Sequence, residues 1–176
     1  MKIYVINGRP RAGKDTFVEY CKKHCTWCLN ISTVDFVKRI ATQCGWDGTK
    51  TPRNRAFLSS LKDLLTDWDD VPFKKITDAI KCFEAEIKLY DFETDNAVVF
   101  IHCREPMEIE RFRRELGAKA VLLTREAVES EETSNHADAD VFNFNYDYTI
   151  TNNGSLSDLE KTAVNFLDSI GIKNLK

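Results

Sequence analysis

Short apolar runs alternate along the chain with longer segments in which apolar residues recur every three or four positions. The short runs end at turn residues, which is typical of buried strands, and the longer segments have the periodicity of helices. The predicted strands are Lys2–Asn7, Trp27–Ser32, 97–101, 119–123 and 147–151. Strands that alternate with helices predict a five-stranded parallel sheet covered on both faces, which is a three-layer α/β/α fold.

Capping and breaking residues define the ends of the predicted helices. Asp35, Thr51 and Ser155 each precede a helical segment and are favoured N-cap residues. Pro72 interrupts a long helical segment, and Gly117 ends another. The predicted helices are Lys14–His24, 36–44, 52–70, 72–90, Pro106–Leu116 and 156–170.

The chain has 176 residues, which predicts a single domain, 1–176, with a substantial core. Two parts of it are not simple connections between strands. The first is the helical part at about 46–94. The second is a polar stretch at about 125–146, which is longer than most connections and is interpreted as a lid.

Charge and hydropathy exclude some classes of function. The net charge is −3, so the chain lacks the basic field expected of a protein whose main partner is nucleic acid. No apolar run is long enough to span a membrane, and no signal segment precedes the first strand. These features predict a cytoplasmic protein without a membrane partner.

Three cysteines and a histidine are closely spaced near the end of the first predicted helix: Cys21, His24, Cys25 and Cys28. This spacing allows a zinc site. The alternative is that the cysteines are small buried hydrophobic residues. We favour the alternative, because the chain leaves the helix near His24 and enters a strand by Trp27, which would separate the four side chains.

The motif Gly8-Arg9-Pro10-Arg11-Ala12-Gly13-Lys14-Asp15-Thr16 lies between the first strand and the first helix. The exposed amides at a helix N-terminus bind anions, and the two glycines let the backbone curl around a phosphate. The spacing G-x-x-x-x-G-K in this context predicts an ATP-binding loop with Lys14 on the terminal phosphates. Arg11 either contacts phosphate or is solvated.

Asp15 stands where such loops usually carry a hydroxyl residue that binds Mg²⁺. A carboxylate is also a hard oxygen ligand for Mg²⁺, so Asp15 is the candidate metal ligand. Its negative charge beside a triphosphate is unfavourable without the metal, and we therefore expect a strong dependence on Mg²⁺. Thr16 remains free to contact the α-phosphate.

Arginines follow the phosphate loop at places where a phosphorylated acceptor would bind. Arg104 comes just after the third predicted strand, and Arg53 and Arg55 open the third helix. Ligands of parallel sheets bind beyond the carboxyl ends of the strands. With a lid that excludes water, this arrangement favours a small-molecule kinase over a hydrolase switch. Arg53 and Arg55 can equally form a solvated helix face.

Three segments together resemble P-loop kinases with a GKD-type Walker A loop: GRPRAGKDT, CREPMEIERFRRELGA and TITNNGSLSDLEK. Two such families are the deoxynucleoside monophosphate kinases of phages and the phosphomevalonate kinases of animals. The resemblance implies ATP, Mg²⁺ and a small phosphorylated acceptor, and it allows a homodimer. The implied ATP-binding residues are Gly8, Arg11, Ala12, Gly13, Lys14, Asp15, Thr16, Asn152, Asn153 and Gly154, the last three beside the adenine.

The resemblance also implies roles in catalysis and acceptor binding. Lys14, Arg104 and Arg125 would stabilise the transferring phosphoryl group, with Arg125 in the lid. Asp35, in addition to Arg53, Arg55 and Arg104, is a candidate acceptor contact, although a plain N-cap is the favoured role for it.

One position departs from the family pattern. His102 stands where the family has an aspartate two residues before the arginine, and imidazole is a poor ligand for Mg²⁺. The predicted lid also carries Glu129, Glu131 and Glu132 where arginines are expected. An ATP-binding protein with weak catalysis that acts through a partner is therefore an alternative to the kinase, as is a phosphomevalonate kinase-like enzyme.

Overall fold

The structure is a computed structural model that describes residues 1–129 and 140–173. Its centre is a five-stranded sheet in which all pairings are parallel, in the order β2-β3-β1-β4-β5. The strands are β1 (Lys2–Asn7), β2 (Trp27–Ser32), β3 (Ala97–His102), β4 (Lys119–Thr124) and β5 (Tyr148–Thr151). The predicted fold class is confirmed, and the strand ends differ from the prediction by one residue at most.

Seven α-helices connect or flank the strands within the described residues. They are α1 (Lys14–His24), α2 (Asp35–Gln43), α3 (Pro52–Asp69), α4 (Val71–Leu89), α5 (Pro106–Leu116), α6 (Glu126–Glu129) and α7 (Leu156–Ser169). Short 3-10 turns lie at Thr94–Asn96 and Asp140–Phe142. Within the predicted lid, residues 130–139, which include Glu131 and Glu132, lie outside the described residues. No described helix is long and apolar enough to cross a bilayer.

The central strands contribute side chains to both faces of the sheet, which explains their continuous apolar sequences. Phe100 of β3 faces α1 and α7, where its ring lies near Phe17 and Phe166. Ile101, the next residue, belongs to the core on the opposite face, which also contains Phe112 of α5. The two cores therefore bury alternate residues of the same strand.

Local capping sets several of the helix ends. The Ser155 hydroxyl accepts a hydrogen bond from the Asp158 amide, and the Asp158 carboxylate accepts one from the Ser155 amide, which completes the capping box before α7. Thr51 caps α3 in the predicted way. The prediction for Asp35 is wrong: Val34 occupies the N-cap position, and Asp35 is the first residue of α2. Its carboxylate instead accepts a hydrogen bond from the amide of Ser32, at 2.7 Å.

Candidate active site

The loop between β1 and α1 has the backbone shape of an anion-binding loop. Gly13, the N-cap of α1, is left-handed, with a φ of 101°, and Arg11 is also left-handed, with a φ of 64°. Among the described residues, no side chain caps the first turn of α1. Because the first amides of a helix have no partner within the helix, this turn presents donors and a partial positive charge to a ligand.

Close contacts with the rest of the protein require both glycines of the loop. A Cβ atom at Gly8 would lie 2.3 Å from the carbonyl oxygen of Leu123, in β4. A Cβ atom at Gly13 would lie 2.4 Å from Nδ2 of Asn152. The loop is therefore held against the end of β4 and the turn after β5, and neither position has room for a side chain.

The side chain of Lys14 folds back over the start of the loop. Its Nζ atom donates hydrogen bonds to the carbonyl oxygens of Gly8, at 2.5 Å, and Arg9, at 2.8 Å. The ammonium group is half-buried beside the amides of the first helical turn. This places a positive charge and a set of backbone donors together, which is the combination that a polyphosphate requires.

Asp15 and His102 lie side by side at the edge of the loop. Oδ1 of Asp15 is 3.7 Å from Nδ1 of His102, and the Asp15 side chain is 94% exposed. Burial lowers the pKa of His102, and the Asp15 carboxylate opposes this shift to a smaller extent. A neutral imidazole thus lies beside Asp15, which remains accessible to a cation.

Asn7 is a site residue that the sequence did not identify. It ends β1 and is buried, and its Oδ1 accepts a hydrogen bond from the amide of Gly8 at 2.8 Å. Its Nδ2 donates to the hydroxyl of Tyr146, at 2.9 Å, and to the carbonyl of Arg104, at 3.4 Å. Asn7 therefore connects the phosphate loop to the segment after β3 and to the end of the predicted lid. The available signal was a polar residue at the end of an otherwise apolar strand.

Asn152 also supports the phosphate loop. Its side chain is buried, and its Nδ2 donates a hydrogen bond to the carbonyl of Ala12 at 2.8 Å. Oδ1 of the neighbouring Asn153 accepts one from the amide of Glu126. Gly154 lies against Asp158 in α7. The structure thus places this turn directly behind the loop, and its contact with adenine stays a prediction.

Replacing Asn152 with alanine is expected to lower the free energy of unfolding by about 1–3 kcal/mol, because the buried carbonyl of Ala12 loses its donor. The phosphate loop would also lose its anchor, so the affinity for ATP should fall. Urea unfolding and calorimetric titration with ATP measure the two effects. Asn153→Ala is the control, since Asn153 is exposed and its loss should cost less than about 1 kcal/mol. Equal losses of unfolding free energy in both variants would contradict the anchoring role.

The predicted arginines differ in their positions. Arg104 follows β3 and is half-buried, and Arg125 follows β4 and is exposed. Both thus lie at the carboxyl edge of the sheet, as the phosphate loop does. Arg53 and Arg55, in the first turn of α3, are exposed, and their side chains form no hydrogen bond or ion pair with the described residues. Their role in acceptor binding stays a prediction, as does that of Asp35.

The cysteine and histidine group does not converge on a metal site. Cys21 and Cys25 are buried in the core beneath α1, whereas His24 pairs with Glu160 of α7, with 2.8 Å between Nε2 and Oε1. Within the described part of the chain, no three histidine, cysteine or acidic residues are placed to bind a metal together. The zinc alternative is therefore not supported.

Comparisons with known proteins support the fold. No protein-family model and no curated protein matches the sequence. Among solved structures, the chain is similar to dephospho-CoA kinase from Campylobacter jejuni, with a TM-score of 0.50 and 14% identity over 96% of this chain and 97% of that one. A sugar kinase from Janibacter sp. HTCC2649 gives a TM-score of 0.47, with 15% identity over 98% of this chain and 96% of that one. The first likeness and the parallel sheet assign the chain to the P-loop kinase-like three-layer α/β/α fold.

Proposed function

We propose that the protein is an ATP-dependent small-molecule kinase that transfers the γ-phosphoryl group of ATP to a nucleoside or deoxynucleoside monophosphate. The observation that carries the proposal is the phosphate loop. An uncapped helix N-terminus, a left-handed Gly13 and the Lys14 ammonium lie together at the carboxyl edge of a parallel sheet. This arrangement binds polyphosphate in other folds of the same class.

The residues of the loop fit ATP and Mg²⁺. Backbone amides from Gly13 to Thr16 would bind the phosphates, and Lys14 would contact the terminal ones. Asp15 is an exposed carboxylate in the first turn of α1, which suits a hard cation that keeps several water ligands. Bound Mg²⁺ would neutralise the charge that develops on the phosphoryl group. His102, a neutral neighbour, leaves Asp15 as the ligand that the chain offers there.

The acceptor is proposed to bind between the phosphate loop and the helical part at 46–94. In this part, α3 and α4 pack against each other and α4 packs against β2. A small concavity there is lined by Thr33, Thr66, Asp70, Pro72, Phe73, Glu108, Arg111 and Phe112. Arg104 follows β3 at the carboxyl edge of the sheet and is the proposed contact for the acceptor phosphate.

Catalysis would consist of positioning and charge stabilisation, without a covalent enzyme intermediate. Lys14 and Arg104 would stabilise charge on the transferring phosphoryl group, and Arg125, at the start of the predicted lid, would complete the site on closure. Exclusion of water by the lid would favour transfer to the acceptor over hydrolysis.

An acceptor panel tests this function. ADP release is measured with ATP, Mg²⁺ and each common nucleoside and deoxynucleoside monophosphate in turn. The expected result is release that at least one monophosphate stimulates and that EDTA abolishes. ATP binding without stimulation by any of them would contradict the proposal. The same assay with phosphomevalonate as the acceptor distinguishes a phosphomevalonate kinase-like enzyme from a nucleoside monophosphate kinase.

The position of His102 favours a second candidate, a nucleotide-binding protein that acts through a partner. The imidazole replaces a carboxylate beside Asp15, which weakens the expected metal site. This candidate predicts tight ATP binding, negligible turnover with every acceptor, and no gain of turnover in the His102→Asp variant. The kinase proposal predicts turnover in the parent protein.

A further inference from the structure

The helix α3 lies on the surface, and one side of it is exposed to solvent. None of its 18 residues is buried, although the helix contains several large apolar side chains. Phe57 is 39% exposed, Leu64 65% and Trp68 77%. Leu61, which lies between Phe57 and Leu64, is half-buried. We call Phe57, Leu61, Leu64 and Trp68 the α3 stripe. Exposed apolar side chains that are contiguous in this way mark interaction surfaces in monomeric proteins.

The α3 stripe has the spacing of a helix-pairing seam. Its members are separated by four, three and four residues, which places them along one line of the helix surface. The packing of α3 on α2 and α4 uses the neighbouring line of Leu58 and Leu65, which are half-buried, and Leu61 borders both lines. Phe57, Leu64 and Trp68 therefore form a second apolar face, which the described part of the chain leaves exposed.

The charges beside the stripe identify its partner. The first half of α3 carries Arg53 and Arg55, and the second half carries Asp63 and Asp67. All four side chains are exposed, and none has an ion-pair partner within the described residues. A helix that is basic in one half and acidic in the other is complementary to itself when two copies run antiparallel.

We propose that α3 pairs antiparallel with α3 of a second copy of this chain, about a two-fold axis near Ser60. Arg53 and Asp67 lie seven residues to either side of Ser60, which is two helical turns, so they share one edge of the stripe. The pairing brings Arg53 of each copy to Asp67 of the other. It also lays Phe57 against Leu64 of the second copy and covers both stripes.

The size of the contact makes the dimer dissociable. A helix of 18 residues is about 27 Å long. The area that one such helix buries is much smaller than the roughly 800 Å² per partner that a stable interface buries. We therefore expect a monomer–dimer equilibrium that depends on protein concentration. This inference is independent of the proposed function and gives Arg53 a role at the interface instead of at the acceptor.

The first test measures mass by sedimentation over a range of protein concentrations, without nucleotide. The parent chain is expected to shift from monomer to dimer as concentration rises. Leu64→Lys is expected to remain monomeric, because it places a charge in the centre of the seam. Leu156→Lys is the matched control, since Leu156 is 66% exposed at the start of α7, and it should dimerise as the parent does.

The second test reverses charges at the two ends of the seam. Arg53→Asp and Asp67→Arg should each weaken dimerisation by about tenfold, since each turns two attractive pairs into repulsive ones. The double variant should regain the parent dissociation constant. A chain that is monomeric at every concentration, a dimer that is insensitive to Leu64→Lys, or single reversals that the double variant does not rescue would each overturn the proposal. So would an Arg53→Asp variant with a raised KM for the acceptor and an unchanged dissociation constant.

Discussion

Replacing Lys14 with alanine is expected to lower acceptor-dependent ADP release by about 10²–10³-fold, the loss typical when one charge-stabilising donor is removed. The ammonium group lies over the start of the phosphate loop, within hydrogen-bond distance of the carbonyls of Gly8 and Arg9. In the proposed reaction it exchanges these contacts for phosphate oxygens and stabilises charge in the transition state. Steady-state kinetics of ADP release measure the effect.

Lys22→Ala is the matched control for this prediction. Lys22 lies in the same helix, two turns further on, and is exposed. Its loss changes the net charge by the same amount but removes no contact with the loop, so turnover should stay within about twofold of the parent value because exposed charges are screened. Similar kinetics in both variants would show that Lys14 does not act on the phosphates.

Replacing Gly8 with alanine is expected to disrupt both the fold and ATP binding. Gly8 has a φ of 148°, and the added Cβ would meet the carbonyl oxygen of Leu123 at 2.3 Å. Backbone strain of about 1–3 kcal/mol and overpacking of about 1–3 kcal/mol predict a loss of about 2–6 kcal/mol in the free energy of unfolding. The loop would have to leave β4, and with it the position from which its amides bind phosphate.

Gly48→Ala separates the clash from the backbone strain. Gly48 also has a positive φ, of 85°, but its Cβ would meet no atom within 4 Å. This control should lose only the strain of about 1–3 kcal/mol and keep its affinity for ATP. Chemical denaturation and calorimetric titration with ATP compare the two variants. If Gly8→Ala is no less stable than Gly48→Ala and binds ATP equally well, the packing of the loop against β4 is not required.

Helices and strands that begin and end at capping or helix-breaking residues were predictable from the sequence. The α5 helix has the predicted bounds, Pro106–Leu116, because Pro106 suits the first turn and Gly117 adopts the left-handed conformation that ends a helix. β1, β2 and α1 also have their predicted bounds. In each case the limit is set by residues next to it in the sequence, so the local pattern contains the necessary information.

Features that depend on tertiary contacts were not predictable. The periodicity of Phe57, Leu64 and Trp68 indicated a helix correctly, but it could not show that these side chains face away from the core. Asp35 was expected to be an N-cap because of its residue type, and the path of the chain after β2 gives that position to Val34. In both cases the deciding factor is where another element packs.

The candidate site was predictable in part for the same reason. The phosphate loop is contiguous in sequence, so its spacing alone predicts a phosphate-binding role for Gly8, Gly13 and Lys14, and that role stays a prediction. Asn7 and Asn152 support that loop through hydrogen bonds to Gly8 and Ala12. For Asn152, the contact crosses 140 positions of the sequence. Such a contact follows from the strand order, which no single segment of the sequence specifies.

The most direct test of the proposed kinase follows the γ-phosphate itself. ATP labelled at the γ-phosphorus is incubated with Mg²⁺, the protein and the monophosphate that best stimulates ADP release, and the labelled products are separated. The proposal predicts that the label appears in the acceptor as a diphosphate, and that Lys14→Ala lowers the rate of its formation by about 10²–10³-fold. Label that appears only in free phosphate, or remains in bound ATP, would contradict it.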